Sequence, residues 1–231
     1  MAKQEAFKDM DIRKLKQYRT PVGEAALCFL TEPSTEFNED GVYVVKLKFK
    51  ADDPKVVKML QIIDEAADAA YQEVYDLAET PREKKAITRA TKSYKFEEDE
   101  DGNETGYVLV NFKRNATRKD RKTGSKSAIR LPMFNNVLTP INNEDIELWN
   151  GSELVVAFKL IPFSKSIGVG VSHRMEAVQV VRAVVGGAGG NGESYGLEAI
   201  DDGIEEAQEQ EVRSGTKADK PSMDTGEDTD Y

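Results

Sequence analysis

The chain has 231 residues, 42 of them acidic and 32 basic, for a formal net charge of −10. A single cysteine, Cys28, excludes a disulfide framework and fits a reducing compartment. No apolar run approaches the ~20 residues of a membrane span, and no secretory signal opens the chain, so a soluble, intracellular protein is expected.

The charge is unevenly placed. Residues 187–231 hold 13 acids and 3 bases, which leaves residues 1–186 with 29 of each sign and no net charge. Three parts are expected: a basic N-terminal arm over 1–19, one folded domain over 20–186, and an acidic tail over 187–231 that is too polar to fold alone and is read as disordered.

In chain order, the arm carries Lys3, Lys8, Arg13, Lys14, Lys16 and Arg19 and reads as a mobile arm or a short helix. Residues 24–31 form a short apolar run ended at Pro33, a first strand. Residues 42–50 alternate: Tyr43, Val45, Leu47 and Phe49 share one face, and Lys46, Lys48 and Lys50 share the other. Spacing alone does not separate a lysine ladder along a groove from a solvated strand face. Asp53 and Pro54 then open a helix, as N-cap and first-turn proline. Val56, Leu60, Ile63, Ala67, Ala70, Val74 and Leu77 follow in steps of four and three, one buried stripe widened by Met59, Tyr71 and Tyr75. Residues 80–95 are polar and basic, and 97–101 read as an acidic loop. Asp99, Asp101 and Asn103 imitate the opening of a calcium loop, but the glycine is misplaced and Val110 stands where a bidentate glutamate is needed.

The organising stretch is 107–134. It reads as two strands joined by a basic hairpin, with Thr123 and Gly124 at the turn. Tyr107, Leu109, Asn111 and Lys113 alternate with Val108, Val110, Phe112 and Arg114. The hairpin carries Arg118, Lys119, Arg121, Lys122 and Lys126, and the stretch has eight bases against one acid, Asp120. Residues 135–150 read as a loop holding the only tryptophan, Trp149. In 151–165, Leu154, Val156, Phe158 and Leu160 point inward and Lys159 outward. Gly168 and Gly170 mark a bend before a last strand over 171–185.

Chemistry-bearing motifs are sparse. Gly187, Gly189 and Gly192 spell a dinucleotide fingerprint but precede no helix, and no Gly-Lys pair exists for a phosphate loop. One histidine, His173, and one cysteine argue against a zinc site or a Cys-His nucleophile. No cofactor, metal or catalytic residue is expected, and an enzyme is the weaker class. Several short alternating strands with one long helix after the second give a mostly β fold, a five-stranded Greek-key OB-fold barrel with extra strands. Such barrels take oligonucleotides on their second and third strands, here 42–50 and 107–116. A lysine-lined groove with aromatic faces is what sequence-independent binding needs.

The chain resembles the single-stranded DNA-binding proteins of short-tailed bacteriophages of the coliphage T-seven type. The marks are Gly41-Val42-Tyr43 opening a strand and Asp53-Pro54 starting the helix, then Phe112-Lys113 and Ala116 before the basic tip. They continue with Val156 to Phe163 (VAFKLIPF), Val169-Gly170, and a glycine cluster leading to an acidic tail that ends in Tyr231. The resemblance implies an OB-fold with an inserted helix and no enzymatic activity. It implies roles in phage DNA replication, recombination and repair, protecting and annealing single strands. It also implies an acidic tail that contacts the phage DNA polymerase and helicase-primase, a homodimer, and a place in the cytoplasm of the infected bacterium. Lys113 matches best among the bases and Phe163 among the stacking aromatics. The position of Lys165 is aromatic in the family, the terminal aromatic there is Phe, and residues 1–19 have no counterpart.

The expected DNA-binding set is thus Lys46, Lys48, Lys50, Tyr107, Lys113, Arg114, Arg118, Lys119, Arg121, Lys122, Lys126, Phe163 and Lys165. Asp224, Glu227, Asp228, Asp230 and Tyr231 form the expected partner-binding tail, which competes with DNA for the groove. Two other readings remain open, a protein-interaction module with a basic surface and a metal-dependent nucleic-acid enzyme.

Overall fold

Period-two burial runs through the long strands of a computed structural model, which describes residues 6–7, 10–36, 38–120 and 123–184. Arg121, Lys122 and the acidic tail, with Asp224, Glu227, Asp228, Asp230 and Tyr231, lie outside the described residues. In chain order the elements are β1 (Gln17–Arg19), β2 (Gly23–Ser34), β3 (Val42–Lys50), α1 (Pro54–Asp76), α2 (Pro81–Ala86), β4 (Tyr94–Glu98) and β5 (Glu104–Asn115). They continue with β6 (Thr117–Lys119), β7 (Lys126–Ala128), β8 (Met133–Phe134), β9 (Pro140–Ile141), β10 (Glu153–Lys165) and β11 (Gly168–Arg182).

Five strands close a barrel in the order β2-β3-β5-β11-β10 and back to β2. Every pairing is antiparallel except β5 with β11. This is the OB arrangement, with α1 following its second barrel strand. Tyr43, Val45, Leu47 and Phe49 are buried inside it with Val108, Val110, Phe112, Leu154, Val156 and Phe158. Helix α1 packs on β10 and β11 through Val56, Met59, Leu60, Ile63, Ala70 and Val74. The Asp53 side chain accepts from the Lys55 N–H at 2.7 Å, an N-cap that satisfies an otherwise orphaned donor. Leu77, expected at the end of the stripe, is exposed beyond the last turn.

Four segments take a form that local pattern does not give. The arm contributes a 3-10 turn over Ile12–Lys14 and then β1, paired with β10. The reason is an edge: β2 covers only Glu153 and Leu154 of the thirteen-residue β10, so Gln17–Arg19 and Thr20 take up groups further along. The Val156 N–H donates to Thr20 Oγ1 at 3.0 Å, and the Thr20 N–H to the Val156 carbonyl at 3.0 Å. Of the expected acidic loop over 97–101, Glu97 and Glu98 belong to β4 (where Tyr94 is buried and Phe96 packs on the core), and residues 99–101 form the turn that follows. Within the basic 80–95 stretch lies α2, opened by a Thr80–Glu83 capping box. The expected second arm of the basic hairpin, 128–134, is split: Ala128 ends β7, which pairs β6 in a separate two-stranded sheet, and Met133–Phe134 form β8, which pairs β11 and β9.

One glycine holds a wall of the barrel in place. Gly168 has φ of 119°, and a Cβ there would lie 2.6 Å from the Ala90 backbone nitrogen. That approach lets the Val169 N–H reach the Thr88 carbonyl and the Ala90 N–H reach the Val169 carbonyl, both at 2.9 Å. Replacing Gly168 with Ala is expected to cost on the order of 2–3 kcal/mol of unfolding free energy in denaturant titration, through backbone strain and the displaced 88–90 segment. An unchanged midpoint would show that the segment is not held this way.

Candidate nucleic-acid interface

A long groove of about 1680 Å³ lies over the outer faces of β5, β11 and β10. Alternation dictates its floor. With Phe112, Phe158 and His173 turned inward, their neighbours Lys113, Lys159 and Arg174 face out. The walls are residues 10–13, the segment 90–93 and the start of the β6–β7 hairpin. Further along β10 the floor turns apolar, with Ile161 and the half-buried Phe163, and the exposed Ile167 follows in the turn to β11.

Of the residues expected from sequence, Lys113, Arg114, Arg118, Lys119, Phe163 and Lys165 line this groove. Lys46, Lys48, Lys50, Tyr107 and Lys126 do not. Lys46 and Lys48 are half-buried on the outer face of β3, and Lys50 is exposed at its end. Lys48 is committed locally: its Nζ lies 2.8 Å from Glu97 Oε2 and 4.3 Å from the centre of the Tyr107 ring. That hydrogen bond, helped by one from Thr105, holds the Glu97 carboxyl below its ordinary range. Lys126 pairs with Asp40.

Arg114 is mostly buried and serves the barrel. Its Nη1 donates to the Glu176 carbonyl at 2.7 Å and to the Glu176 carboxylate at 3.2 Å. Burial pulls its basicity below the ordinary arginine range, against the attraction of Glu176. Phe163 lies beside Gly170, its partner on β11, where a Cβ would meet the ring at ordinary contact distance, 3.4 Å, and crowd Ala90 Cβ at 3.1 Å. Lys165 Nζ lies 5.6 Å from the same ring centre.

His173, expected to be structural, is 5% exposed beneath the floor. Its Nδ1 lies 2.9 Å from the Asn111 carbonyl, an acceptor only, so Nδ1 carries the proton. Nε2 therefore accepts from the Ser93 hydroxyl, also at 2.9 Å, which ties wall segment 90–93 to β11. Desolvation pushes its pKa down to about 4, partly opposed by the Asn111 bond.

Sequence reasoning left Arg174, Lys159 and Lys92 out of the site. The alternation of Ser172, Arg174 and Glu176 against His173 and Met175 carried the signal for Arg174. Lys159 was visible as outward-facing. Lys92, tied to Asp64 and the Tyr94 hydroxyl at 2.8 and 2.7 Å, had no sequence signal.

Residues 23–183 match the family model described as single-stranded DNA-binding protein, bacteriophage T7. The chain is 28% identical over 171 residues to the single-stranded DNA-binding protein of Enterobacteria phage T3, with 72% of each chain covered. To that of Escherichia phage T7 it is 27% identical over 197 residues, covering 84% of this chain and 81% of the relative. The crystal structure of gp2.5, a single-stranded DNA-binding protein encoded by bacteriophage T7, superposes with a TM-score of 0.63 at 23% identity, over 75% of this chain and 96% of that one. The single-stranded DNA-binding protein of bacteriophage Enc34 in complex with ssDNA superposes with a TM-score of 0.50 at 12% identity, over 74% and 89%. These two likenesses are of fold.

Because the chain has one histidine, its titration can be read directly by NMR. The ring signals are expected to move with a midpoint of about 4, against about 6.5 for a solvated ring. Between those values the unfolded chain binds the proton and the folded chain does not, so stability is full above pH 6.5 and falls as pH drops toward 4. The depressed value corresponds to about 3 kcal/mol. A midpoint near 6.5 would place the ring in solvent.

Proposed function

The chain belongs to the bacteriophage T7 family of single-stranded DNA-binding proteins, and we propose that it holds a single strand, without sequence preference, in the groove over β5, β11 and β10. The observation that carries this is the meeting, in one groove, of a cationic floor with an aromatic and apolar strip. Phosphates are held by cations and bases stack on aromatic faces, and neither contact reads sequence. Lys113, Arg118 and Lys119 serve the phosphates. Phe163 offers the stacking face, and a base entering there turns Lys165 from the ring toward a phosphate. Arg114 acts from behind, by holding the floor together. The relatives are named for binding and not for a reaction.

The further parts of the reading rest on sequence. The protein acts in replication, recombination and repair of phage DNA in the cytoplasm of the infected bacterium, protecting and annealing single strands. Its acidic tail occupies the groove until DNA displaces it, then recruits the phage DNA polymerase and helicase-primase through Asp224, Glu227, Asp228, Asp230 and Tyr231. The tail also supports a homodimer. A tethered segment has an effective concentration on the order of millimolar, enough to populate a weak charge–charge contact.

Fluorescence titration with an oligo-dT strand tests the groove. Tight binding without metal is expected, and Phe163→Ala is expected to weaken it by about 5- to 150-fold, the equivalent of 1–3 kcal/mol of stacking, with the salt dependence unchanged. Full affinity in a folded Phe163→Ala variant would remove the stacking role. Deleting 193–231 removes 13 acids and 3 bases. The truncated protein is expected to bind oligo-dT more tightly at low salt and to lose partner binding. Equal or weaker affinity at low salt would overturn the competition by the tail.

A further inference from the structure

Lys113, Arg174 and Lys159 occupy one line across the groove floor. Lys113 on β5 is the parallel partner of Arg174 on β11, and Arg174 is the antiparallel partner of Lys159 on β10. Neighbouring strands lie about 4.8 Å apart, so three cations span about 10 Å at right angles to the strands. Like charges directly opposite one another destabilise a sheet. Among the ion pairs of the described residues, one carboxylate, Glu176, compensates the row, and it is shared. Arg174 Nε lies 3.2 Å from one of its oxygens and Arg114 Nη1 3.2 Å from the other.

The three side chains keep donors to spare. Lys159 gives two N–H bonds to the carbonyls of Ile12 and Arg13, at 3.0 and 3.1 Å, and retains a third. Arg174 uses Nε on Glu176, and its terminal nitrogens make no hydrogen bond among the described residues. Lys113 has no ion pair among the described residues. Two ends of the row are point charges and its centre is a planar fork, whose orientation is set by Glu176. A fork of that kind takes two oxygens of one phosphate at once.

We propose that Lys113, Arg174 and Lys159 form a single phosphate-binding row, with Arg174 as its central ligand and Glu176 as the residue that aims it. This rests on the assignment of the groove to a single strand, and adds the path. The phosphodiester chain crosses the three strands on this row. Its bases are directed toward Phe163, four residues from Lys159 on β10 and so about 13 Å along that strand.

The test measures binding of oligo-dT and of an abasic strand of equal length over a range of salt, for the full chain and its variants. Each phosphate contact on a single strand contributes about 0.7 to the salt slope. Arg174→Gln is expected to lower the slope by about that amount and the affinity by roughly tenfold, alike for both strands, since the row touches phosphate only. Arg174→Lys keeps the charge and loses the fork. It is expected to keep the slope and lose several-fold in affinity, and it serves as the reading if the glutamine variant does not fold. Lys58→Gln, on the exposed surface of α1, removes a charge away from the groove and is expected to leave the slope unchanged. If the wild-type protein binds oligo-dT and neither Arg174 variant differs from it in slope or affinity, the row is overturned and the groove assignment stands. If the wild-type protein does not bind, the groove assignment fails and the row fails with it.

Discussion

The seam between β5 and β11 is the constraint on which the rest depends. A closed barrel needs this parallel contact, yet the two strands share one ladder pair, Lys113 with Arg174. Side chains complete it. His173 donates to the Asn111 carbonyl across the seam, and Arg114 donates to the Glu176 carbonyl from the other side. Buried backbone carbonyls need partners, and here an imidazole and a guanidinium stand in for ladder N–H groups. Both donors must keep the right protonation state. Burial keeps His173 neutral with its proton on Nδ1, while Arg114 stays charged because its basicity far exceeds any physiological pH even when lowered.

The same seam is where the outer surface becomes cationic. Each inward residue that builds the core forces its neighbour outward. Phe112 stacks edge-on with Phe158, ring centres 5.0 Å apart, and His173 lies 5.4 Å from Phe112. The residues directly after Phe112, Phe158 and His173 are Lys113, Lys159 and Arg174. Core and floor are therefore one pattern read on two faces of a sheet. The packing of three rings fixes the spacing of three cations.

The walls are less local. They come from segments far apart in sequence, each tied to the floor by a specific bond. Lys159 holds residues 12 and 13 through their carbonyls, Ser93 is held by His173, and Gly168 admits residues 88–90. The hairpin that begins at Thr117 is steadied by Lys126 on Asp40. Several cations of the basic stretches thus have structural work on the barrel itself, which separates them from those that face the groove.

Local pattern was enough for much of this. Alternation in 42–50 and 151–165 set which residues enter the core, and Asp53-Pro54 with the apolar steps from Val56 set the helix, because strand pleat and helix pitch are properties of neighbours in the chain. The marks around Phe112-Lys113 and Val156 to Phe163 pointed to the family. What alternation cannot show is which outward faces lie side by side. The lysines of β3 and of β5 look alike in sequence. Lys48 is spent on Glu97 only because β4 pairs with β5, and the acidic composition of 97–101 hides the end of that strand. Lys113 meets Arg174 and Lys159 only because the barrel closes β5 on β11 and β11 on β10, contacts between residues some 60 and 15 positions apart whose register no local signal carries. The place of residues 17–19 was likewise decided by an edge of β10 that exists only once the barrel has closed.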